Sequence, residues 1–129
     1  MNTTTLKNGK YYHGRFDAFE KTRGWFVGSF FEEGHPCKTE HVEIAFAKHN
    51  KGSIVGPHYH KLKVELIIVL KGKVKYKVND QEVTLNKGDF LFADVNNILS
   101  ADFLESSEIF AIHSPSIPTD KVVVNGEEL

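Results

Sequence analysis

Apolar and polar positions alternate with a period of two in short stretches along most of the chain. The clearest case is residues 73–78, where lysines alternate with Val74, Tyr76 and Val78. Successive side chains of a β-strand point to opposite faces, so this pattern predicts a strand with one solvated face and one buried face. Turn residues separate the stretches at intervals of roughly ten residues, and no long amphipathic helix is predicted. The pattern indicates an all-β sandwich or barrel.

The predicted strands cover residues 25–31, 41–49, 64–70, 73–78, 82–85, 90–93, 99–104, 108–113 and 121–124. Gly28 interrupts the first of them, and the last is expected on a sheet edge. The third is apolar except at Glu65, so it is expected to be buried on both faces. The fourth and fifth are predicted to form a hairpin through Asn79-Asp80, and the seventh and eighth to form a second hairpin.

The densest candidate chemistry lies around the third strand. His58 and His60 are one residue apart, so they share one face of an extended segment. Glu65 follows His60 by five residues, an odd offset that would place it on the other face of an unbroken strand. Residues 61–63 are therefore expected to bend and reset the alternation. Two imidazoles and one carboxylate facing one cavity would form a divalent metal site, for which Fe(II), Mn, Ni, Zn and Cu are all suitable ions.

The bulk properties narrow the class of protein. A chain of 129 residues predicts a single domain, and its net charge of −1 argues against a nucleic-acid partner. Cys37 is the only cysteine, which excludes an intramolecular disulfide and a cysteine zinc cluster. Residues 1–10 are polar and do not resemble a signal peptide, and the longest apolar run, 66–70, is too short to span a membrane. A cytoplasmic protein that binds neither nucleic acid nor membrane is expected.

The spacing of Gly52, His58, His60, Glu65 and Gly72 resembles the first conserved motif of the cupins, position for position. The resemblance implies an antiparallel double-stranded β-helix, the RmlC-like jelly-roll barrel, with a site in its open mouth. The organisation that it implies is one cupin domain over residues 1–129, with a core barrel at about 42–114, an N-terminal strand extension at 11–34 and a C-terminal tail at 115–129.

The second cupin motif is degenerate. Gly88-Asp89 matches its start, but Leu99 stands where the family carries a metal-binding histidine. The site is then either a three-ligand set with open positions or one of weakened affinity, unless a substitute ligand replaces the missing histidine. His113 is the best substitute, because its strand is expected to pair next to the strand that carries Leu99. His41 and His49 are weaker candidates, and a surface role is the alternative for all three.

Three functions follow from these residues. The first is a metal-dependent cupin that acts on a small polar molecule, with Tyr76 as an acid or base and Glu43 as a weaker candidate. The second is a metal-independent isomerase or epimerase of sugar nucleotides, in which His58 or His60 is the base. The third is a non-enzymatic module that binds a small ligand, which leaves open whether the protein is an enzyme. A carbohydrate-derived ligand and a homodimer, with residues 25–31 at its interface, are also expected from the resemblance.

Overall fold

The structure is a computed structural model that describes residues 11–125. The predicted polar lead-in at residues 1–10 and the end of the predicted tail, 126–129, lie outside the described residues. A short 3₁₀ turn, Glu20–Thr22, precedes the first strand. The strands are, in chain order, β1 (Trp25–Val27), β2 (Glu43–His49), β3 (Ile54–Tyr59), β4 (Val64–Lys71), β5 (Lys73–Val78), β6 (Gln81–Asn86), β7 (Phe90–Ala93), β8 (Leu99–Phe103), β9 (Ser107–Ser114) and β10 (Val122–Val123).

The strands form two five-stranded antiparallel sheets that face each other. The first sheet has the order β1-β2-β9-β4-β7 and the second the order β10-β3-β8-β5-β6. Inward positions of both sheets meet in one core, whose buried members are Ile67, Val69, Val74, Tyr76, Leu85, Ala101, Phe103 and Ile109. The predicted all-β jelly roll is confirmed. Between residues 11 and 125, no helix is long and apolar enough to cross a membrane.

The first predicted hairpin is present, but the second prediction is wrong. β5 and β6 pair directly, as expected. β8 pairs with β3 and β5, whereas β9 pairs with β2 and β4 in the other sheet. The link between β8 and β9 therefore crosses from one sheet to the other. Alternation has the same period in a hairpin and in a crossover, so the sequence pattern could not separate them.

The predicted strand at residues 25–31 is only three residues long. A Cβ atom added to Gly28 would lie 2.1 Å from a ring carbon of Phe30, which folds back over the glycine. Gly28 also donates its N–H to the Cys37 carbonyl and accepts from the Thr39 N–H. Its backbone is therefore bonded to a loop instead of a neighbouring strand. β1 ends at this position. The edge strand predicted at residues 121–124 is confirmed as β10, although it is shorter.

The prediction that β4 is buried on both faces is half right. Its inward residues Glu65, Ile67 and Val69 are buried, while the residues between them are only partly buried. The neighbouring strand β7 carries Phe90 and Phe92 on the same outer face, where their side chains are 66% and 54% exposed. An apolar outer face therefore remains open at this end of the first sheet.

Candidate functional site

The predicted bend between the histidines and the carboxylate is confirmed. Residues 61 and 62 bend after β3, and β4 begins at Val64. The Asp120 carboxylate holds the bend by accepting the backbone N–H groups of residues 61, 62 and 63 at 2.9, 2.7 and 3.0 Å. The alternation is reset, so His60 and Glu65 are buried on the same side and line one cavity. Asp120 gave no signal in the sequence for this role, because it is 57 or more residues away along the chain.

Both motif histidines are oriented by a backbone carbonyl. His58 Nδ1 lies 2.9 Å from the Gly56 carbonyl oxygen, and His60 Nδ1 lies 2.5 Å from that of Asp120. A carbonyl only accepts, so each Nδ1 carries the hydrogen and each Nε2 keeps its lone pair. Burial lowers the pKa of His58 and favours its neutral form. Acceptors that hydrogen-bond the far ring nitrogen give metal-binding imidazoles this orientation.

The three predicted ligands converge. The ligand atoms offered by His58, His60 and Glu65 all lie within 4.8 Å of one another, and all three residues are buried. His60 Nε2 lies 3.4 Å from Glu65 Oε1. The site joins the two sheets: His58 lies on β3, His60 directly follows β3, and Glu65 lies on β4 of the other sheet.

A third imidazole reaches the same cavity from an unexpected strand. His113 on β9 is the direct cross-strand partner of Glu65, and its Nε2 lies 3.2 Å from Glu65 Oε2. The expectation that its strand lies beside that of Leu99 is wrong, because β9 belongs to the other sheet. Leu99 itself pairs with His58 and is 2% exposed, so it lies at the family position but offers no ligand.

The other two candidate histidines do not face this cavity. His49 stacks on Phe103, with ring centroids 4.1 Å apart, and His41 lines a separate pocket. Both are outside the set of described residues that line the cavity with Glu65.

Behind His113 lies a buried polar network that the sequence did not reveal. Glu43, which is 2% exposed, accepts from Lys63 Nζ at 2.6 Å and from His113 Nδ1 at 2.9 Å. Its other oxygen accepts from Ser116 Oγ at 2.9 Å, and Ser116 Oγ also accepts the Ser29 N–H. Lys63 gave no signal in the sequence, because a lysine in a bend is usually solvated. A buried cation of this kind requires its carboxylate partner.

The charges of this network follow from its contacts. Burial raises the pKa of Glu43, but hydrogen bonds from its three partners outweigh burial and lower the pKa to about 2. Burial likewise acts against ionisation of Glu65, but the adjacent rings of His113 and His60 bring its pKa well below the usual range. Burial lowers the pKa of His113, and the carboxylates of Glu43 and Glu65 on either side raise it above the usual value.

Tyr76 faces the barrel interior, as its alternation predicted. It packs in the central core, is 6% exposed and is not among the described residues that line the cavity. Burial, reinforced by the charge of Glu65, raises the pKa of its phenol far above neutrality. Tyr76 is therefore protonated at neutral pH and can donate a hydrogen bond but not act as a base.

Three buried polar atoms at the centre of the cluster lack a hydrogen-bond partner within residues 11–125. They are His60 Nε2, Glu65 Oε1 and His113 Nε2. Buried polar atoms are nearly always satisfied, so three orphans in one place require an explanation. His60 Nε2 lies 3.4 Å from Glu65 Oε1, and His113 Nε2 lies 3.2 Å from Oε2 of the same carboxylate. Neighbouring donors around one ion are about 3 to 3.4 Å apart when each lies about 2.1 Å from the metal. The donor set fits a divalent cation.

The cluster opens into a cavity with a volume of about 590 Å³. Trp25 and Phe30 form part of its wall, and the Trp25 ring packs edge-on against His113 with centroids 5.4 Å apart. The volume and the mixture of apolar wall and buried polar groups are typical of a small-molecule site.

A family model described as the cupin domain matches residues 46–98, a segment that contains His58, His60 and Glu65. This match and the double-stranded β-helix fold together support assignment of the protein to the cupin superfamily. No curated protein sequence matches this chain.

Solved structures share the cupin's fold at low sequence identity. A Klebsiella pneumoniae protein with a double-stranded β-helix domain is 16% identical, with a TM-score of 0.62 over 67% of this chain and 77% of that one. Oxalate decarboxylase from Bacillus subtilis is 16% identical, with a TM-score of 0.61 over 66% of this chain and 24% of that one. The nucleoside dehydratase Pac13 is 14% identical, with a TM-score of 0.61 over 67% and 71%. At these identities the similarity establishes the fold alone.

Proposed function

We propose that this cupin binds a divalent metal ion through His58, His60 and Glu65 and binds or acts on a small polar molecule in the cavity above it. The observation that carries the proposal is the convergence of these three buried groups, with His60 Nε2 and Glu65 Oε1 left without hydrogen bonds. Fe(II), Mn, Ni, Zn and Cu all accept this combination of nitrogen and oxygen ligands.

His113 supplies the fourth donor in this proposal and replaces the histidine missing at Leu99. Its Nδ1 is engaged by Glu43, which leaves Nε2 directed toward Glu65. A carboxylate behind a metal-binding imidazole fixes the ring and increases its basicity. His113 Nε2 would hold the ion in place of the proton that the two carboxylates otherwise stabilise.

The ion, when bound, would polarise a carbonyl or carboxylate oxygen or activate water. The protein contributes orientation and exclusion of solvent. Glu43 and Lys63 neutralise each other below the site, and Trp25 and Phe30 shield one wall. Tyr76 keeps its proton because its pKa is raised, so its predicted role in this proposal is that of a hydrogen-bond donor from the core. A carbohydrate-derived ligand remains part of the proposal. Its hydroxyl and carboxylate oxygens are ligands that these metal ions accept, and they can hydrogen-bond to the polar residues of the cavity wall.

The test is elemental analysis of untagged protein by plasma mass spectrometry. Wild type should retain close to one metal ion per chain after gel filtration, and His58→Ala/His60→Ala should lose it. The matched control, His13→Ala/His41→Ala, removes two exposed histidines outside the cavity and should retain the metal.

Equal metal in the two double variants would contradict the proposed ligands. If wild type binds none of the five metals after reconstitution, the metal proposal fails. The metal-independent reading, with His58 or His60 as a base on a sugar nucleotide, would then be tested next. A ligand that binds tightly without turnover would instead support the non-enzymatic binding module.

Three further predictions accompany this proposal. One cupin domain is predicted over residues 1–129, and a cytoplasmic location is predicted from composition. A homodimer is also predicted, but its best candidate surface is the outer face around Phe90 and Phe92 instead of residues 25–31. Both phenylalanines are more exposed than Phe30, whose side chain is 37% exposed and whose ring covers Gly28.

A further inference from the structure

Besides Lys63, which is paired with Glu43, three cationic side chains line the cavity around the candidate metal site. They are Lys21, Arg23 and Lys121. The acidic residues among the described lining are Glu43 and Glu65 only, and both are already in contact with Lys63 or a histidine. The cavity therefore has an excess of positive charge even before a metal ion binds.

These three cations have no side-chain hydrogen bond or ion pair in the described part of the chain. Their side chains are exposed, and what distinguishes them from other exposed lysines is that all three line the same cavity. Asp120, the acid next to Lys121, forms no ion pair with it within residues 11–125, and its carboxylate accepts three backbone N–H groups instead. Unpaired cations along a cleft raise the local concentration of anions.

Lys21 and Arg23 are held in place by the start of the first sheet. Gly24 accepts the Phe46 N–H at 3.0 Å, and a Cβ atom at Gly24 would collide with the Phe46 carbonyl, so the segment lies directly against β2. Arg23 adopts a left-handed conformation with a φ of 54° at the end of the 3₁₀ turn. The backbone that carries these cations is therefore fixed by sheet contacts.

Lys121 comes from the other sheet. It immediately precedes β10, the edge strand that pairs with the strand of His58. Lys121 and His58 line the same cavity. The cations are thus presented to this cavity from the edges of two different sheets.

We propose that the ligand of this cavity is a small anion that carries a carboxylate or phosphate group, which Lys21, Arg23 and Lys121 bind. This inference deepens the proposed function and rests on it for the metal below the anion. Arginine and lysine are the side chains that form the strongest hydrogen bonds to such oxygens. The volume of about 590 Å³ restricts the ligand to a small molecule.

The test is a fluorescence titration of metal-loaded protein. Trp25 is the single tryptophan of the chain and lines the cavity, so its emission reports on binding there. The probes are inorganic phosphate, malonate and malonamide, the last being an uncharged analogue of malonate. At least one of the two anions should give a saturable change that weakens as NaCl is raised, and malonamide should give none.

The decisive comparison uses two triple variants with the same change in charge. Lys21→Met/Arg23→Met/Lys121→Met should weaken anion binding by at least about tenfold. Lys71→Met/Lys77→Met/Lys87→Met, three exposed lysines outside the cavity lining, should bind within about twofold of wild type. Saturation by phosphate alone assigns a phosphate ligand, and saturation by malonate alone assigns a carboxylate.

The inference is overturned if neither anion binds, if malonamide binds as well as malonate, or if both triple variants bind equally. Metal content is measured on the same samples, so the two proposals fail separately. Loss of metal binding with anion binding intact would overturn only the metal proposal. If every variant retains metal and loss of the cavity cations does not weaken anion binding, only the anion proposal is overturned.

Discussion

At the scale of single residues, the proposed metal site includes a histidine outside the family motif. Leu99 lies beside His58, where its side chain is buried and apolar. His113 approaches from the opposite sheet, with Glu43 at one ring nitrogen and Glu65 near the other. The second sheet therefore carries Leu99 at the position of the family's histidine, and the first sheet presents His113 to the same cavity. Glu43 holds the His113 ring in position.

Replacing His113 by Gln should weaken metal binding by at least about tenfold, because the fourth donor and its carboxylate support are both lost. The measurement is a competition titration against a chelator of known affinity, using Zn²⁺. His49→Gln is the control, since that ring also is partly buried but stacks on Phe103 away from the cavity. An unchanged Zn²⁺ affinity in His113→Gln would show that the three motif residues bind the ion without it.

At the scale of elements, the turns set how the strands meet. Gly72 links β4 to β5 with a φ of 95°, in the left-handed region that favours glycine. The chain there lies against the start of β9: a Cβ atom at Gly72 would lie 2.2 Å from Ser107 Oγ and 2.5 Å from the Ser106 carbonyl oxygen. Gly72, the last glycine of the first cupin motif, thus permits the turn between β4 and β5. It also permits the close approach of this turn to Ser106 and Ser107 at the start of β9.

Gly72→Ala should destabilise the fold by about 3 kcal/mol or more, through backbone strain and collision together. Gly88→Ala is a matched control, because its φ is 90° but no atom lies within 4 Å of the added Cβ. It should cost only the strain, about 1 kcal/mol. Urea unfolding of both variants measures the difference, and equal losses would show that the contact with Ser107 yields without cost.

At the scale of the whole molecule, one outer surface remains apolar. β7 is the edge strand of the first sheet, and Phe90 and Phe92 stand on its outer face next to Ile68 and Leu66 of β4. A twofold interface places one patch against its own copy, which suits a patch free of charge. Apolar surface of this kind on a small protein usually marks a contact surface.

Wild type should therefore be a dimer by light scattering coupled to gel filtration, and Phe90→Asp/Phe92→Asp should be a monomer because like charges would face each other across the interface. The control, Ile54→Asp/Val123→Asp, changes two exposed apolar residues of the other sheet and should remain dimeric. A monomeric wild type would remove the homodimer from the proposal.

The local features of this cupin could be predicted from its sequence. Alternation located most strands and the inward face of Tyr76, because the period of two is a property of the strand itself. The spacing of His58, His60 and Glu65 required a bend, and the bend is present. These predictions depend on residues close together in the chain, where covalent geometry restricts what the backbone can do.

Only the tertiary structure decided which distant groups meet. β8 and β9 belong to different sheets, and each pairs with strands distant in the chain. His113 lies beside Glu65, and Lys63 is buried against Glu43. Both contacts join residues 20 or more positions apart. The cations of the cavity wall likewise come from both ends of the described chain. Such contacts depend on how the two sheets pack, and the same alternating pattern is compatible with several ways of pairing the strands.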